Sequence, residues 1–151
     1  MRRPDPLVLL VVLGLALPPA VAAQGQCLLM NPSFEIAGSS GSVFAGWNQF
    51  GVVGSSSVAS HGYVAARVSG PNTGNWDVSG FWQGLDSAPG DTWKVMGTVR
   101  VPSSNPLAGQ SAAIVNVEWR TSGGTLIGYE SHTVANASSP ADSTIAASSR
   151  A

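Results

Sequence analysis

Residues 112–134 read AAIVNVEWRTSGGTLIGYESHTV. Ala113, Val115, Val117 and Trp119 alternate with Asn116, Glu118 and Arg120, the period of a strand with one apolar and one polar face. Thr121-Ser122-Gly123-Gly124 is turn chemistry, and Thr125 to Val134 is extended again, so the stretch predicts a β-hairpin. Working outward, Asp91 to Val101 alternates as cleanly, with Trp93, Val95, Val99 and Val101 on one face and Lys94, Met96, Thr98 and Arg100 on the other. Pro102 to Gly109 is loop. Ser87-Ala88-Pro89-Gly90, before that strand, is a turn with proline where φ is fixed and glycine where φ can be positive. Four further strands are predicted: Cys27 to Glu35, Gly46 to Val53, Val64 to Val68 after a turn at His61-Gly62, and Val78 to Leu85.

Gly, Ser, Thr, Val and Ala dominate, charges are sparse, and no stretch repeats apolar residues at helical spacing. Short antiparallel strands with half-buried alternation predict an all-β chain, an antiparallel β-sandwich of the jelly-roll kind. It amounts to one domain at most.

The N-terminus is a separate matter. Met1-Arg2-Arg3 is basic, Leu7 to Leu17 is unbroken apolar sequence, Pro18-Pro19 breaks it, and Ala20-Val21-Ala22-Ala23 offers the small residues a signal peptidase needs. Residues 1–23 therefore read as a secretory signal peptide, the apolar run being about half the ~20 residues that span a bilayer. The protein is expected to be secreted, with no membrane attachment after cleavage. Removing Arg2, Arg3 and Asp5 leaves five basic and seven acidic residues, so no basic patch exists to hold nucleic acid. Cys27 is the single cysteine, which excludes an intrachain disulfide and a cysteine-based metal cluster. It is expected as a partly exposed thiol or in a bond to another chain.

The opening of the ordered region carries a resemblance. Leu28-Leu29-Met30-Asn31-Pro32-Ser33-Phe34-Glu35, a Gly/Ser loop and Gly46-Trp47-Asn48-Gln49-Phe50-Gly51 follow one another. Ser60-His61-Gly62-Tyr63-Val64-Ala65-Ala66-Arg67-Val68, Gly80-Phe81-Trp82-Gln83, Pro89-Gly90-Asp91-Thr92-Trp93 and Val117-Glu118-Trp119 with Ser122-Gly123-Gly124-Thr125 come after them, in that order. Together these segments resemble carbohydrate-binding modules of the family 4, 9 and 22 type, which have a galactose-binding-like β-jelly roll. The resemblance covers residues 28 to 142 and places the module at 27–142. Beyond Pro140-Ala141-Asp142 the family continues through further strands, whereas residues 143–151 are small and polar. That stretch is read as a disordered tail, and the jelly roll as truncated and lacking its last strands, with a sheet edge left open.

The resemblance implies a secreted, noncatalytic module that attaches to polysaccharide or oligosaccharide, as a monomer. The alternative is a structural or adhesive extracellular domain without sugar affinity. In the family the Asn-Pro-x-Phe-Glu motif precedes a structural calcium site, which makes Glu35 a ligand candidate, with carbonyls near Ser60 to Gly62 as companions. The plainer reading of Glu35 is a strand-end acid facing water. Phe34, alternating with Glu35, is core under either reading.

Aromatic faces stack on the apolar C–H faces of pyranose rings, so the Trp residues have to be sorted. Trp47, Trp93 and Trp119 lie on the apolar phase of their strands and are expected in the core. Trp76, in the polar loop that begins Asn72-Thr73-Gly74-Asn75, has no phase that buries it, and Phe50 occupies the place where related modules carry a stacking aromatic. Phe50 and Trp76 are the expected sugar platforms. Trp82 is ambiguous: its neighbour Gln83 resembles a groove hydrogen-bonding position of the family, and alternation then sends Trp82 inward. Asn116, Glu118 and Arg120, sharing the outward face, complete the polar set, their plainer reading being a solvated sheet surface.

No catalytic constellation is legible, so the chain reads as not an enzyme. His61 and His132 have no Ser or Cys partner at a motif spacing. Nothing sets two of Glu35, Glu118 and Glu130 across a cleft at the roughly 5 to 9.5 Å that glycoside hydrolysis needs.

Overall fold

The computed structural model describes residues 27–70 and 78–150, and for 147–150 the backbone only. The segment read as a signal peptide, 1–23, and the expected platform Trp76 lie outside the described residues. Among these residues there is no helix, hence none long and apolar enough to cross a membrane. The chain is all-β.

Among the described residues eight strands follow in order: β1 Asn48–Phe50, β2 Val52–Ser56, β3 Ala65–Ser69, β4 Gly80–Trp82, β5 Lys94–Arg100, β6 Ala112–Arg120, β7 Leu126–Asn136 and β8 Thr144–Arg150. They pair antiparallel as β1 with β4, β2 with β3, β5 with β8 and β6 with β7. The β6–β7 ladder is the hairpin read from residues 112–134, with irregularities between Ala113 and Ile114 and between Trp119 and Arg120. In β5 and β6 every second residue is half-buried and its neighbours exposed, in the predicted phase. The inward phases of these two strands meet where a Val115 methyl approaches the place a side chain on Gly97 would occupy, at 3.4 Å.

A second cluster is aromatic. The ring of Phe34 lies 4.7 Å from that of Trp47, 5.1 Å from Phe44 and 5.8 Å from Phe81, and Phe44 lies 5.5 Å from Phe81. Phe44, 2% exposed, is the best-buried side chain of the group, and Val101, Val134 and Ala135 are buried elsewhere. Trp47, Trp93 and Trp119, expected in the core, are half-buried, and of the three only Trp119 lies within a strand.

Four segment readings are corrected. Cys27 to Glu35 is not a strand, because Asn31 and Phe34 adopt left-handed backbone (φ 48° and 63°) and the Phe34 amide closes a turn on the Asn31 carbonyl at 3.1 Å. Gly46 to Val53 is two short elements, because Gly51 takes φ 70° and the chain changes partner there. Val78 to Leu85 shrinks to the three residues of β4. The supposed disordered tail is strand from Thr144 to Arg150, in register with β5 from Arg100 back to Lys94. Its small residues carry no alternation, but a ladder is made of backbone groups, and Ile145 opposite Val99 supplies a half-buried apolar pair.

Candidate functional site

Of the expected polar set, Asn116, Glu118 and Arg120 lie on the outward face of the β6–β7 hairpin. Asn116 Nδ2 donates to Glu118 Oε1 (3.0 Å), while Arg120 donates from Nε (2.8 Å) and Nη2 (2.6 Å) to Glu118 Oε2. Arg120 Nη1 also reaches the Gly124 carbonyl in the turn (2.8 Å), and Ser131 Oγ donates to Asn116 Oδ1 (2.5 Å). The hairpin turn thus anchors the guanidinium, which in turn orients the carboxylate. The structure brings Asn116, Glu118 and Arg120 together as one row, prealigned by mutual hydrogen bonds.

That row has an aromatic neighbour that sequence reasoning missed. Tyr129, 65% exposed, stands opposite Glu118 in the ladder and so shares its face. A plain count outward from Thr121–Gly124 would set Tyr129 opposite Asn116; the irregularity between Trp119 and Arg120 is what brings it level with Glu118.

Phe50 lies on the β1–β4 pair. It is 44% exposed, and its ring rests over Gly80, 3.1 Å from where a Cβ on that residue would stand. The register sets Phe50 opposite Gly80 and Asn48 opposite Trp82, so Phe50 and Trp82 share one face on a diagonal. Trp82 is 52% exposed. The expected inward Trp82 is therefore corrected: Phe81 takes the inward place in the aromatic cluster, and Trp82 points away from it.

Gln83 is not at the rim of this face. It is half-buried, its Oε1 accepts from the Met30 amide (2.9 Å) and its Nε2 donates to the Met30 carbonyl (2.7 Å). The side-chain amide pairs with the backbone as a neighbouring strand would, and ties Met30 to the end of β4.

Glu35 follows the Asn31 turn. Asn31 itself is a hub: its Nδ2 donates to the carbonyls of Ile36 (2.9 Å) and Ala45 (3.2 Å), its Oδ1 accepts from the Ile36 amide (3.1 Å), and its carbonyl accepts from Trp47 Nε1 (2.9 Å). This clip aims Glu35 at the loop before β3, the loop expected to accompany it. The groups that meet the carboxylate are hydrogen-bond donors: the Tyr63 amide lies 3.1 Å from both oxygens and the Val64 amide 3.3 Å from Oε1. A cation needs oxygen ligands there, so the residues as arranged do not fit calcium. Among the described residues no three His, Cys, Asp or Glu side chains gather at a metal-binding spacing.

Two further polar groupings frame the strands. Ser60 Oγ lies 3.3 Å from Thr98 Oγ1 and 3.3 Å from His61 Nδ1, all exposed. Asp142 pairs with Arg100 (2.8 Å) and accepts from the Ser103 amide (3.3 Å). The Ser103 hydroxyl first, then its amide and the Arg100 charge, hold the Asp142 carboxyl below its ordinary value. Cys27 is a free, exposed thiol.

No protein-family model matches the chain, and no curated protein or solved structure matches it significantly.

Proposed function

We propose that this chain is a secreted, noncatalytic carbohydrate-binding module of the jelly-roll kind that attaches to polysaccharide. The observation that carries the reading is the shared face of Phe50 and Trp82. Two large aromatic side chains stand half-exposed on one three-residue ladder, the ring of one seated over a glycine. Exposed aromatic side chains set side by side on one face are a feature of binding surfaces. A pyranose ring offers the matching chemistry, an apolar C–H face to stack and hydroxyls at its edge for Asn48 to meet. The Asn116–Glu118–Arg120 row beside Tyr129 repeats the combination on another sheet, with an aromatic and a prealigned set of donors and acceptors. The ordered series of motifs from Leu28 to Asp142 supports the same reading.

A structural or adhesive role without sugar affinity is the second reading. It is favoured by Gln83, whose amide is wholly engaged with Met30, and by the closure of the Glu118–Arg120 pair on itself.

Pull-down on insoluble cellulose, xylan and β-glucan distinguishes the two. Binding in the micromolar to millimolar range, roughly −4 to −8 kcal/mol, is expected for at least one of them. Trp82→Ala and Phe50→Ala should each remove most of it while the far-ultraviolet spectrum stays unchanged. Folded wild-type protein that binds none of the three, or variants that bind as well as wild type, would leave the structural reading in its place.

A further inference from the structure

Gly62 stands where the loop before β3 meets Glu35, with left-handed backbone at φ 73°. A Cβ at this position would overlap Glu35 Oε1. Glycine is thus required here twice, for its conformation and for the carboxylate's approach. The next two amides, of Tyr63 and Val64, converge on the carboxylate of a residue 28 positions earlier. Consecutive backbone N–H groups that point to one spot form a cradle for an anion.

We infer that Glu35 is the built-in anion of this cradle and locks residues 60–64 to the Asn31 clip without a metal ion. A divalent cation and these amides compete for the same oxygens. For calcium to coordinate Glu35, the carboxylate must turn away from Tyr63 and Val64 and leave two amides without their acceptor, which is costly for backbone donors. The lock sets the entry of β3 and holds Tyr63, 87% exposed, out into solvent from a fixed backbone. Gly62 and Glu35 act as one unit, since neither arrangement exists without the other.

The test is thermal unfolding of the whole mature chain in calcium chloride and in EDTA, for wild type, Glu35→Gln, Glu35→Ala and Gly62→Ala. Wild type should melt at the same temperature in both solutions. Glu35→Ala and Gly62→Ala should each lower it by about 4 °C or more, and Glu35→Gln, which keeps one acceptor oxygen, by less. A wild-type midpoint that falls on chelation, in a manner Glu35→Ala abolishes, would overturn the inference and make Glu35 a metal ligand. So would a Glu35→Ala midpoint equal to wild type. Should the variants fail to fold, amide exchange of wild type in EDTA decides: Tyr63 and Val64 should exchange at least about 10-fold more slowly than in an open loop, and exchange at the open-loop rate refutes the lock.

Discussion

The two ends of the described chain are held by different kinds of force. From Met30 to Trp47 order comes from side chains that imitate backbone, Asn31, Gln83 and Glu35 each bonding main-chain groups, and from four aromatic rings within 5.8 Å contacts. From Lys94 to Arg150 order comes from two long ladders, β5–β8 and β6–β7, with alternating side chains half-covered on one face. The contrast teaches where single substitutions matter. A ladder spreads its stability over many backbone pairs, whereas a clip concentrates it in a few side chains.

The strongest way to break the comparison is Phe44→Ala. Removing a buried ring should cost about 3–5 kcal/mol, enough to unfold a domain of ordinary stability, whereas the half-buried Trp119 on the ladder should cost about 1–2 kcal/mol. Equal losses in chemical denaturation would mean that the hairpin depends on its core as much as the clip does. Next comes Asn31→Ala, which leaves the Ile36 amide and the Ala45 carbonyl without their side-chain partner and the Ile36 carbonyl with the Ala45 amide alone. About 1–3 kcal/mol of destabilisation is expected, and a change within error in urea melts would show that water replaces the side chain.

The smallest effect concerns pH at the ladder's end. Because the folded-state pKa of Asp142 is depressed, its stabilising contribution is fully present above the unfolded value, near 3.9, and is lost as pH falls through the lower folded value. Melting temperature should drop slightly more steeply for wild type than for Asp142→Asn on acidification from pH 5 to pH 2. Parallel curves would mean that the Arg100 and Ser103 contacts contribute nothing measurable, as exposed pairs often do.

The same contrast explains what could be read in advance. The bounds of β6 and the phase of β5 follow from a period of two sustained over seven to nine residues. The clip left no such trace: an asparagine that bonds its own neighbourhood and a phenylalanine in left-handed backbone look, as letters, like the start of a strand. The side of Trp82 is ambiguous in the sequence because a strand of three residues is too short to show a phase, and the resemblance at Gln83 favours the inward one. β8 was hidden because Ala146 to Ser149 offer neither alternation nor branched side chains. Of the proposed sugar-contacting residues, Asn116, Glu118 and Arg120 were legible as a row from alternation alone, whereas Tyr129 needed the register of the opposite strand and Trp76 lies outside the described residues.

Between Phe50 and Val52 the backbone leaves one ladder and joins another with only Gly51 in between. β1 ends opposite Gly80, and β2 begins opposite Ser69. Tension drawn along the chain at this point has no slack to straighten before it loads both ladders, which stand in series. Strands sheared along their length share load among their pairs, and β1 has three pairs where β2 has five. The shorter ladder is the fuse. Pulled hard enough, β1 strips from β4 and lifts Phe50 off Gly80 while β2 still holds β3, so the aromatic face would disengage under load with the second ladder intact.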